Sequence, residues 1–295
     1  MKVAIYGQYY QNSTEPIIKD IFIFFNSNNV EMVIEENFLK MLYEKNIVKK
    51  EYKTFSSTTS LDHSFEMLIS IGGDGTILRA ATLVRNSGLP ILGINAGRLG
   101  FLATVPKESI DNFLQFIIDK NYTISERTLL SLTCDPKNDA IEDDLNFAMN
   151  EVTVSRKDTT SMITVETYLN NEYLNSYWAD GLIISTPTGS TGYSLSCGGP
   201  ILTPNVESLV ITPIAPHNLN ARPLVIPDNT EIKLRVTGRE DQYLVSLDSR
   251  ITSIKNESVL KIKKTDFKIK MVEIPGETFL KTLRNKLLWG EDKRN

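Results

Sequence analysis

The first third of the chain alternates short apolar runs with helical patterns. The runs Lys2–Gly7, Glu66–Ile71 and Ile91–Ile94 have the length of buried strands, and helical patterns cover Glu15–Asn28 and Met32–Asn46. Short strands that are separated by helices pair in parallel through crossover connections. The pattern therefore predicts a layered α/β domain, with its ligand edge where the strands end.

Two further helices complete this region. Thr76–Gly88 has a helical pattern that Gly88 and Pro90 close. Glu108–Asn121 carries apolar residues at the spacing of an amphipathic helix, and we expect this helix to end the first domain. Its apolar residues are Ile110, Phe113, Leu114, Ile117 and Ile118.

From Tyr122 onward the pattern changes to alternation and to β-branched runs. Many short runs of this kind, separated by turn signals, are typical of an all-β sandwich. Asn170-Asn171 is a predicted hairpin turn, because asparagine tolerates the positive φ of such turns. The runs are Thr128–Cys134, Met149–Ser155, Met162–Trp178, Gly181–Thr186, Leu209–Ala215, Glu231–Gly238, Tyr243–Asp248 and Val259–Ile274.

The last segment returns to helical spacing at Glu277–Asn295. The patterns together predict an α/β N-terminal domain with a Rossmann-like parallel sheet over residues 1–121. An all-β, sandwich-like domain follows over residues 122–275. A C-terminal helix over residues 276–295 is expected to pack back on the first domain.

Composition narrows the class of protein. The 295 residues are 41% hydrophobic and 23% charged, which is typical of a globular chain with room for two domains. A net charge of −4 argues against a broad surface for nucleic acid or anionic membrane, and no apolar run approaches a membrane span. The N-terminus lacks a signal-peptide pattern, and Cys134 and Cys197 form no CxxC pair. We therefore expect a soluble cytoplasmic protein with reduced thiols.

The stretch Leu68–Ala80, LISIGGDGTILRA, places Asp74 between glycines at a strand-to-helix junction. Glycines there let a phosphate approach the backbone, although the spacing is neither GxxxxGK[ST] nor GxGxxG. A carboxylate opposes phosphate binding unless a cation offsets its charge or the charge takes part in chemistry, and both exceptions point to phosphoryl transfer. The alternative is a tight turn in which Asp74 or Thr76 caps the helix.

Four segments together resemble the NAD kinases, which phosphorylate the 2′-hydroxyl of the adenosine ribose of NAD. They are GGDGT at Gly72–Thr76, GINAGRLGFL at Gly93–Leu102, NE at Asn150–Glu151 and DGLIISTPTGSTGYSLSCGGP at Asp180–Pro200. Weaker similarity follows in Ile211–Asp228. The segments keep the family's order and span both predicted domains.

The resemblance implies the following roles in phosphoryl transfer. Asp74 is the catalytic carboxylate, and the other residues of its loop, Gly72, Gly73, Gly75 and Thr76, bind phosphates. Arg98 is a further candidate for the donor phosphates, because guanidinium suits bidentate phosphate contacts. ATP, or another phosphoryl donor, and a divalent metal, Mg²⁺, are the implied co-substrate and cofactor.

The resemblance also implies a set of NAD-binding residues. Asn150 and Glu151 bind ribose hydroxyls, and Asp180 lies on the nicotinamide side. Thr191, Gly192 and Tyr193 follow the adenine and its ribose, with Tyr193 able to stack on the base. Asp74 and Gly75 complete this set.

Several positions depart from the family pattern or lie outside its firm part. Gly192 stands where the family often has alanine. Ser246–Arg250, SLDSR, resembles the family's Asp-Gly-Gln turn but has Ser249 and Arg250 in place of Gly and Gln. Asp248 is therefore placed near the site without a catalytic role, and His217 is a candidate contact of the nicotinamide pocket rather than a base.

The expected function is an NAD kinase that binds NAD, NADP and ATP and forms a homodimer or homotetramer, as the resemblance implies. A lipid kinase of the diacylglycerol kinase type is the first alternative, because those enzymes share a GGDGT loop. A nonenzymatic NAD-sensing module is the second, although Asp74 argues against it because binding alone is better served without that charge.

Overall fold

The computed structural model describes residues 1–8, 14–56, 61–97, 100–103, 105, 110–139, 141, 145–158 and 161–290. The chain folds into two compact units. The first is Met1–Glu126 together with Ile269–Asn295, and the second is Arg127–Lys268. Within the described residues, no helix is long and apolar enough to cross a membrane.

The strands are β1 (Lys2–Gly7), β2 (Glu31–Glu35), β3 (Lys53–Phe55), β4 (Met67–Gly72), β5 (Ile91–Asn95), β6 (Thr123–Arg127), β7 (Leu130–Asp135), β8 (Phe147–Ala148), β9 (Glu151–Arg156), β10 (Ile163–Leu169), β11 (Glu172–Ala179), β12 (Gly181–Ser185), β13 (Ser208–Ile214), β14 (Leu224–Pro227), β15 (Ile232–Thr237), β16 (Gln242–Leu247), β17 (Arg250–Lys255), β18 (Val259–Lys264) and β19 (Ile269–Glu273). The helices are α1 (Thr14–Ser27), α2 (Glu36–Glu44), α3 (Asp74–Val84), α4 (Ile110–Ile118), α5 (Tyr193–Ser196) and α6 (Phe279–Leu287).

The first unit is built on one sheet of strand order β3-β2-β1-β4-β5-β19-β6. The pairs from β3 to β19 are parallel, as short strands with helical crossovers predict. Ile5 and Ile69 pack in one buried cluster with Ile18 of α1, Phe38 of α2 and Leu114 of α4. The predicted α/β class is therefore confirmed for this unit.

One element differs from the pattern expected in this region. Met32–Ile34 belong to strand β2, whereas the sequence pattern assigns them to a helix. These residues are buried between parallel neighbours on both sides, so their run carries no alternation and merges with the helical pattern behind it. The helix begins only at Glu36, after the Glu35 carboxylate accepts the Phe38 N–H at 2.8 Å.

The second unit consists of two sheets, with strand orders β11-β10-β15-β18-β7-β8 and β14-β13-β12-β9-β16-β17. Alternate residues of both sheets, such as Val154, Ile184, Leu234 and Ile262, share one buried cluster, so the predicted sandwich is confirmed. The Asn170-Asn171 turn joins β10 to β11, and both residues have positive φ, of 49° and 68°.

The structure differs from the predicted division of the chain at one strand. The sequence pattern places residues 269–275 in the sandwich. The strand in this range, β19, instead pairs in parallel with β5 in the sheet of the first unit. The alternation of a strand does not say which sheet it joins. Helix α6 belongs to the same unit, where the Phe279 ring lies 6.2 Å from the Phe101 ring, centroid to centroid.

Candidate active site

Asp74 is the first residue of α3 and lies directly behind the carboxyl end of β4. Its side chain accepts three backbone hydrogen bonds from the segment that follows β5. The Phe101 N–H donates to Oδ2 at 2.8 Å, and the N–H groups of Leu102 and Ala103 donate to Oδ1 at 3.0 Å each. A carboxylate offers about four acceptor positions, so Oδ2 keeps one for another donor.

Gly100 makes this arrangement possible. A Cβ atom at Gly100 would lie 1.9 Å from Asp74 Oδ1, far inside contact distance. The missing side chain lets the backbone of the next three residues close around the carboxylate. Gly100 lies in the GINAGRLGFL segment, but the sequence interpretation gave it no role.

The other residues of the glycine loop lie on either side of Asp74 along the chain. Gly72 has no room for a side chain, because its Cβ would lie 2.2 Å from Thr76 Oγ1. Gly73 and Gly75 face open space, with nothing within 4 Å of an added Cβ. Thr76 is buried, and its hydroxyl donates to Gln8 Oε1 at 3.2 Å.

The structure excludes the alternative in which Asp74 caps its own helix. Gly73 is the N-cap residue and makes no side-chain cap bond, while Asp74 binds a different segment. The first N–H groups of a helix have no partner within it, so the start of α3 is suited to an anion. Arg98, the other predicted phosphate contact, lies outside the described residues.

In the second unit, Asn150 and Glu151 stand at the start of β9, between the ends of β12 and β16. On one side, the Asp248 side chain binds the backbone of this pair. Its carboxylate accepts the N–H groups of Met149 at 3.0 Å, Asn150 at 2.7 Å and Glu151 at 3.2 Å. The N–H of Asp248 in turn donates to the Glu151 carbonyl at 3.0 Å.

The turn after β12 holds the same pair from the other side. The Thr186 N–H donates to the Asn150 carbonyl at 2.9 Å, and the Thr186 hydroxyl donates to the Met149 carbonyl at 2.6 Å. A Cβ at Gly189 would lie 2.1 Å from the Asn150 carbonyl oxygen, so only glycine fits there. The backbone of Asn150 and Glu151 is thus fixed from both neighbouring strands.

The side chains of this pair are buried with acceptor atoms that have no partner among the described residues. These atoms are Asn150 Oδ1 and Glu151 Oε2. Thr153 Oγ1 on the same strand is also buried and has no hydrogen-bond partner among the described residues. Glu151 is only 9% exposed. Burial, and secondarily the Asp248 carboxylate, raise the pKa of Glu151 to about 8. Buried acceptors without partners are rare in folded proteins and are expected where a ligand supplies the donors.

Thr191, Gly192 and Tyr193 follow directly on the Gly189 turn. Gly192 brings the backbone close to Glu151, since a Cβ there would lie 3.2 Å from Glu151 Oε2 and 3.1 Å from the Gly189 carbonyl. Tyr193 is 46% exposed, so its ring has a free face. Burial, and then the nearby charges of Cys197, Asp180 and Glu151, raise the pKa of the Tyr193 hydroxyl, which places Tyr193 within electrostatic reach of both acids.

Asp180 and His217 lie at the other end of β12. The Asp180 carboxylate forms an ion pair with Arg156 at 3.1 Å, which leaves both side chains partly exposed. His217 is exposed, and its ring lies tilted against the Trp178 ring with 4.3 Å between centroids. The backbone N–H of His217 donates to the Trp178 carbonyl at 2.9 Å. His217 therefore borders the segment that leads to Asp180 rather than the Asn150–Glu151 pair.

Comparison with known proteins identifies the family. The family model of the ATP-NAD kinase N-terminal domain matches residues 3–122, and that of the ATP-NAD kinase C-terminal domain matches residues 149–274. The chain belongs to the NAD kinase family. A protein named NAD kinase from Flavobacterium johnsoniae is 86% identical over 295 residues, with all of both chains covered. This family member is therefore a phosphotransferase.

Two solved structures share the fold of this NAD kinase family member. The crystal structure of yeast NADH kinase complexed with NADH has a TM-score of 0.85 at 21% identity and covers 99% of this chain and 89% of its own. The crystal structure of an NAD kinase from Archaeoglobus fulgidus in complex with ATP has a TM-score of 0.72 at 24% identity and covers 97% of each chain.

Arg250 replaces the glutamine of the family's Asp-Gly-Gln turn, and in this NAD kinase family member its side chain makes defined hydrogen bonds. Its guanidinium donates to the carbonyls of Leu145 and Phe147, the segment just before Asn150. The turn therefore anchors that segment through Arg250 and the Asn150–Glu151 backbone through Asp248. Sequence reasoning missed both contacts, although the departure at Arg250 was the available signal.

Proposed function

We propose that this NAD kinase family member transfers the γ-phosphoryl group of ATP to the 2′-hydroxyl of the adenosine ribose of NAD, giving NADP and ADP. The observation that carries the proposal is the Asp74 carboxylate, held by three N–H groups between glycines at a helix start. ATP as donor is supported by the complex of the Archaeoglobus fulgidus enzyme.

In the proposed step the ribose 2′-oxygen attacks the γ-phosphorus as its proton moves to Asp74. The oxygen–phosphorus bond forms, the bond between the γ-phosphorus and the bridging oxygen breaks, and ADP leaves. Oδ2 is the accepting atom, because it keeps an unused acceptor position while the N–H groups of Phe101, Leu102 and Ala103 fix the carboxylate. The N–H groups at the start of α3 and the open faces of Gly73 and Gly75 receive phosphate oxygens.

The second unit supplies the proposed NAD contacts. Asn150 and Glu151 bind ribose hydroxyls, which would satisfy their unpartnered acceptors. Tyr193, with its exposed ring, stacks on the adenine beside Thr191 and Gly192. Asp180 lies on the nicotinamide side, and His217 is a contact near it.

Magnesium fits the first unit only as part of the nucleotide. The described residues hold no group of three or more His, Cys, Asp or Glu that could bind a metal ion. Mg²⁺ commonly needs only one or two carboxylates because phosphate oxygens and waters fill its other positions. Mg²⁺ bound with the triphosphate would neutralise negative charge there, and Asp74 is the carboxylate of the loop that would contact it.

We further propose a cytoplasmic location and a homodimer or homotetramer. The location is supported by Cys134 and Cys197, which form no disulfide, since secreted proteins usually pair their cysteines. The oligomer rests on the family resemblance.

The deciding experiment is incubation of the purified protein with NAD, ATP and Mg²⁺, followed by assay of NADP with a dehydrogenase specific for it. Formation of NADP that depends on both substrates supports the proposal. Diacylglycerol is tested in parallel as acceptor. Lipid phosphorylation without NADP would overturn the assignment, and NAD binding without any turnover would favour a sensing module.

A further inference from the structure

Helix α6 contacts the segment after β5 through one aromatic ring, that of Phe101. Phe279, the first residue of α6, lies with its ring 6.2 Å from the Phe101 ring, centroid to centroid, at an interplanar angle of 40°. Lys286 places its Nζ atom 5.9 Å from the centroid of the same ring. Residues seven positions apart lie on one face of a helix, so α6 contacts the Phe101 ring along two of its turns.

The backbone of Phe101 joins this ring to Asp74. The Phe101 N–H donates to Asp74 Oδ2 at 2.8 Å. The N–H groups of Leu102 and Ala103 donate to Oδ1, so among the described residues Phe101 is the one donor that binds Oδ2. Oδ2 is also the atom that keeps an acceptor position for a substrate hydroxyl, so the position of Phe101 decides where that acceptor points.

The three donors differ in what holds them in place. Leu102 and Ala103 are buried against β5, where a Cβ at Gly93 would lie 2.9 Å from the Leu102 carbonyl oxygen and 3.1 Å from the Ala103 Cα atom. Phe101 is partly exposed. The packing of the unit therefore fixes the donors to Oδ1, whereas the donor to Oδ2 depends on what contacts the Phe101 side chain.

Helix α6 is fixed to the first unit by contacts that do not involve Phe101. Strand β19, which precedes it, pairs in parallel with β5. Thr282 and Leu283 of the helix are buried. The Thr278 hydroxyl accepts the Lys281 N–H at 3.2 Å and so caps the start of the helix. A helix held in this way presents a fixed surface to the Phe101 ring.

We propose that α6 positions the Asp74 carboxylate, with Phe279 and Lys286 holding the Phe101 ring so that the Phe101 N–H fixes Oδ2. The inference rests on the proposed function, in which Oδ2 accepts the proton of the ribose hydroxyl. It adds Phe279 and Lys286 as positioning residues for the transfer step. Small misplacement of a reacting group slows its reaction strongly, so we expect loss of either contact to change kcat rather than substrate binding.

Phe279→Ala removes the ring and tests the proposal in steady-state kinetics. We expect kcat to fall by about tenfold, with the KM values for NAD and ATP within about twofold of the parent. Phe279→Tyr keeps the ring and should restore kcat to within about twofold of the parent. Leu280→Ala, which changes an exposed side chain at the next position of α6, is the matched control and should keep the parent rate.

A double-mutant comparison shows whether Phe279 acts through Asp74. In the Asp74→Asn background the accepting carboxylate is already lost, so adding Phe279→Ala should change kcat by less than about twofold. A general loss of structure would instead lower kcat by about the same factor in both backgrounds, and that result would overturn the proposal.

Hydrogen exchange tests the same contact without relying on activity. Exchange rates of single amides are measured by NMR on ¹⁵N-labelled protein. In Phe279→Ala we expect the Phe101 amide to exchange at least about tenfold faster than in the parent, while the buried Ala103 amide stays within about twofold. Leu280→Ala should leave both amides unchanged.

Lys286→Ala changes an exposed side chain and keeps the test valid if Phe279→Ala fails to fold. Because it removes a cation from the face of the Phe101 ring, it should lower kcat by about two- to fivefold and speed exchange of the Phe101 amide by a similar factor. Arg284→Ala removes an exposed cation from another face of the same helix and should match the parent in both measurements.

The outcomes separate this inference from the function on which it rests. If folded Phe279→Ala and Lys286→Ala both keep the parent's exchange rates, α6 does not position Asp74, whatever the parent's activity. Faster exchange of the Phe101 amide with an unchanged kcat in an active enzyme would also overturn the proposal. If exchange rises as expected but the parent makes no NADP, the placement of Asp74 by α6 stands and the proposed function falls.

Discussion

Asp74 and Glu151 are both carboxylates at strand ends, but their surroundings differ in kind. Asp74 is met by three N–H donors and keeps one acceptor position open. Glu151 is buried beside Asp248, and its Oε2 has no partner among the described residues. The first environment fixes a carboxylate in position and leaves Oδ2 able to accept one more hydrogen, and the second leaves a buried acceptor that ligand hydroxyls can satisfy.

The raised pKa of Glu151 predicts how stability depends on pH without ligand. The carboxyl group has a usual pKa of 4.5 when unfolded and a pKa of about 8 in the folded protein. Between these values the folded state holds a proton that the unfolded state lacks, so the free energy of unfolding falls as pH rises. From about pH 6 to about pH 8, we expect the parent to lose about 1–3 kcal/mol more than Glu151→Gln. Urea unfolding of both proteins at the two pH values measures this, and equal losses would contradict the burial argument.

Among the elements, one loop contact in each unit positions candidate site residues. The segment after β5 closes on the first residue of α3, and the turn between β16 and β17 holds the start of β9. Each contact joins parts of the chain that lie far apart in sequence. In each, a carboxylate accepts hydrogen bonds from backbone N–H groups of the other part. Each can be tested with a single substitution and a matched control.

Gly100→Ala tests the first contact. Its Cβ would meet Asp74 Oδ1 at 1.9 Å, so the loop must move and the carboxylate loses its position. We expect kcat to fall by at least about tenfold, since small misplacement of a reacting group is costly. Gly97→Ala, where an added Cβ meets nothing within 4 Å, should keep the parent rate. Equal rates in both variants would show that the placement of Asp74 by this loop does not matter.

Asp248→Asn tests the second contact. Asparagine tolerates the positive φ of 52° at this position but cannot accept all three N–H groups, since its amide nitrogen is a donor. The Asn150–Glu151 backbone should loosen, and we expect the KM for NAD to rise about tenfold with the KM for ATP unchanged. Asp241→Asn, at the exposed end of the same hairpin, is the control. A fall in kcat with both KM values unchanged would contradict a positioning role.

Sequence patterns predict the strands, the glycine loop and the two fold classes because each is a local property. Strand β2 could not be separated from the helix behind it, because burial on both faces removes the alternation that marks a strand. The hydrogen bond from the Glu151 N–H to the Asp248 carboxylate could not be predicted from the sequence either, because 97 positions separate the two residues. Gly100 lies in the GINAGRLGFL segment, but only the folded loop shows that a Cβ there would clash with Asp74.

For the whole molecule, we expect a homodimer or homotetramer. Edge strands β11 and β14 expose Tyr173, Trp178 and Val225, and exposed apolar groups of this kind mark interaction surfaces. Sedimentation equilibrium should give twice or four times the chain mass of 33.2 kDa. A single species at the mass of one chain, at micromolar concentration, would contradict this prediction.

We propose that Asp74 accepts the proton of the attacking ribose hydroxyl, and steady-state kinetics of Asp74→Asn tests this claim. We expect kcat to fall by about 10²–10⁴-fold, the usual contribution of a general base, with the dissociation constant for NAD within about threefold of the parent. Turnover close to that of the parent would show that Asp74 only shapes the loop and would contradict the claim.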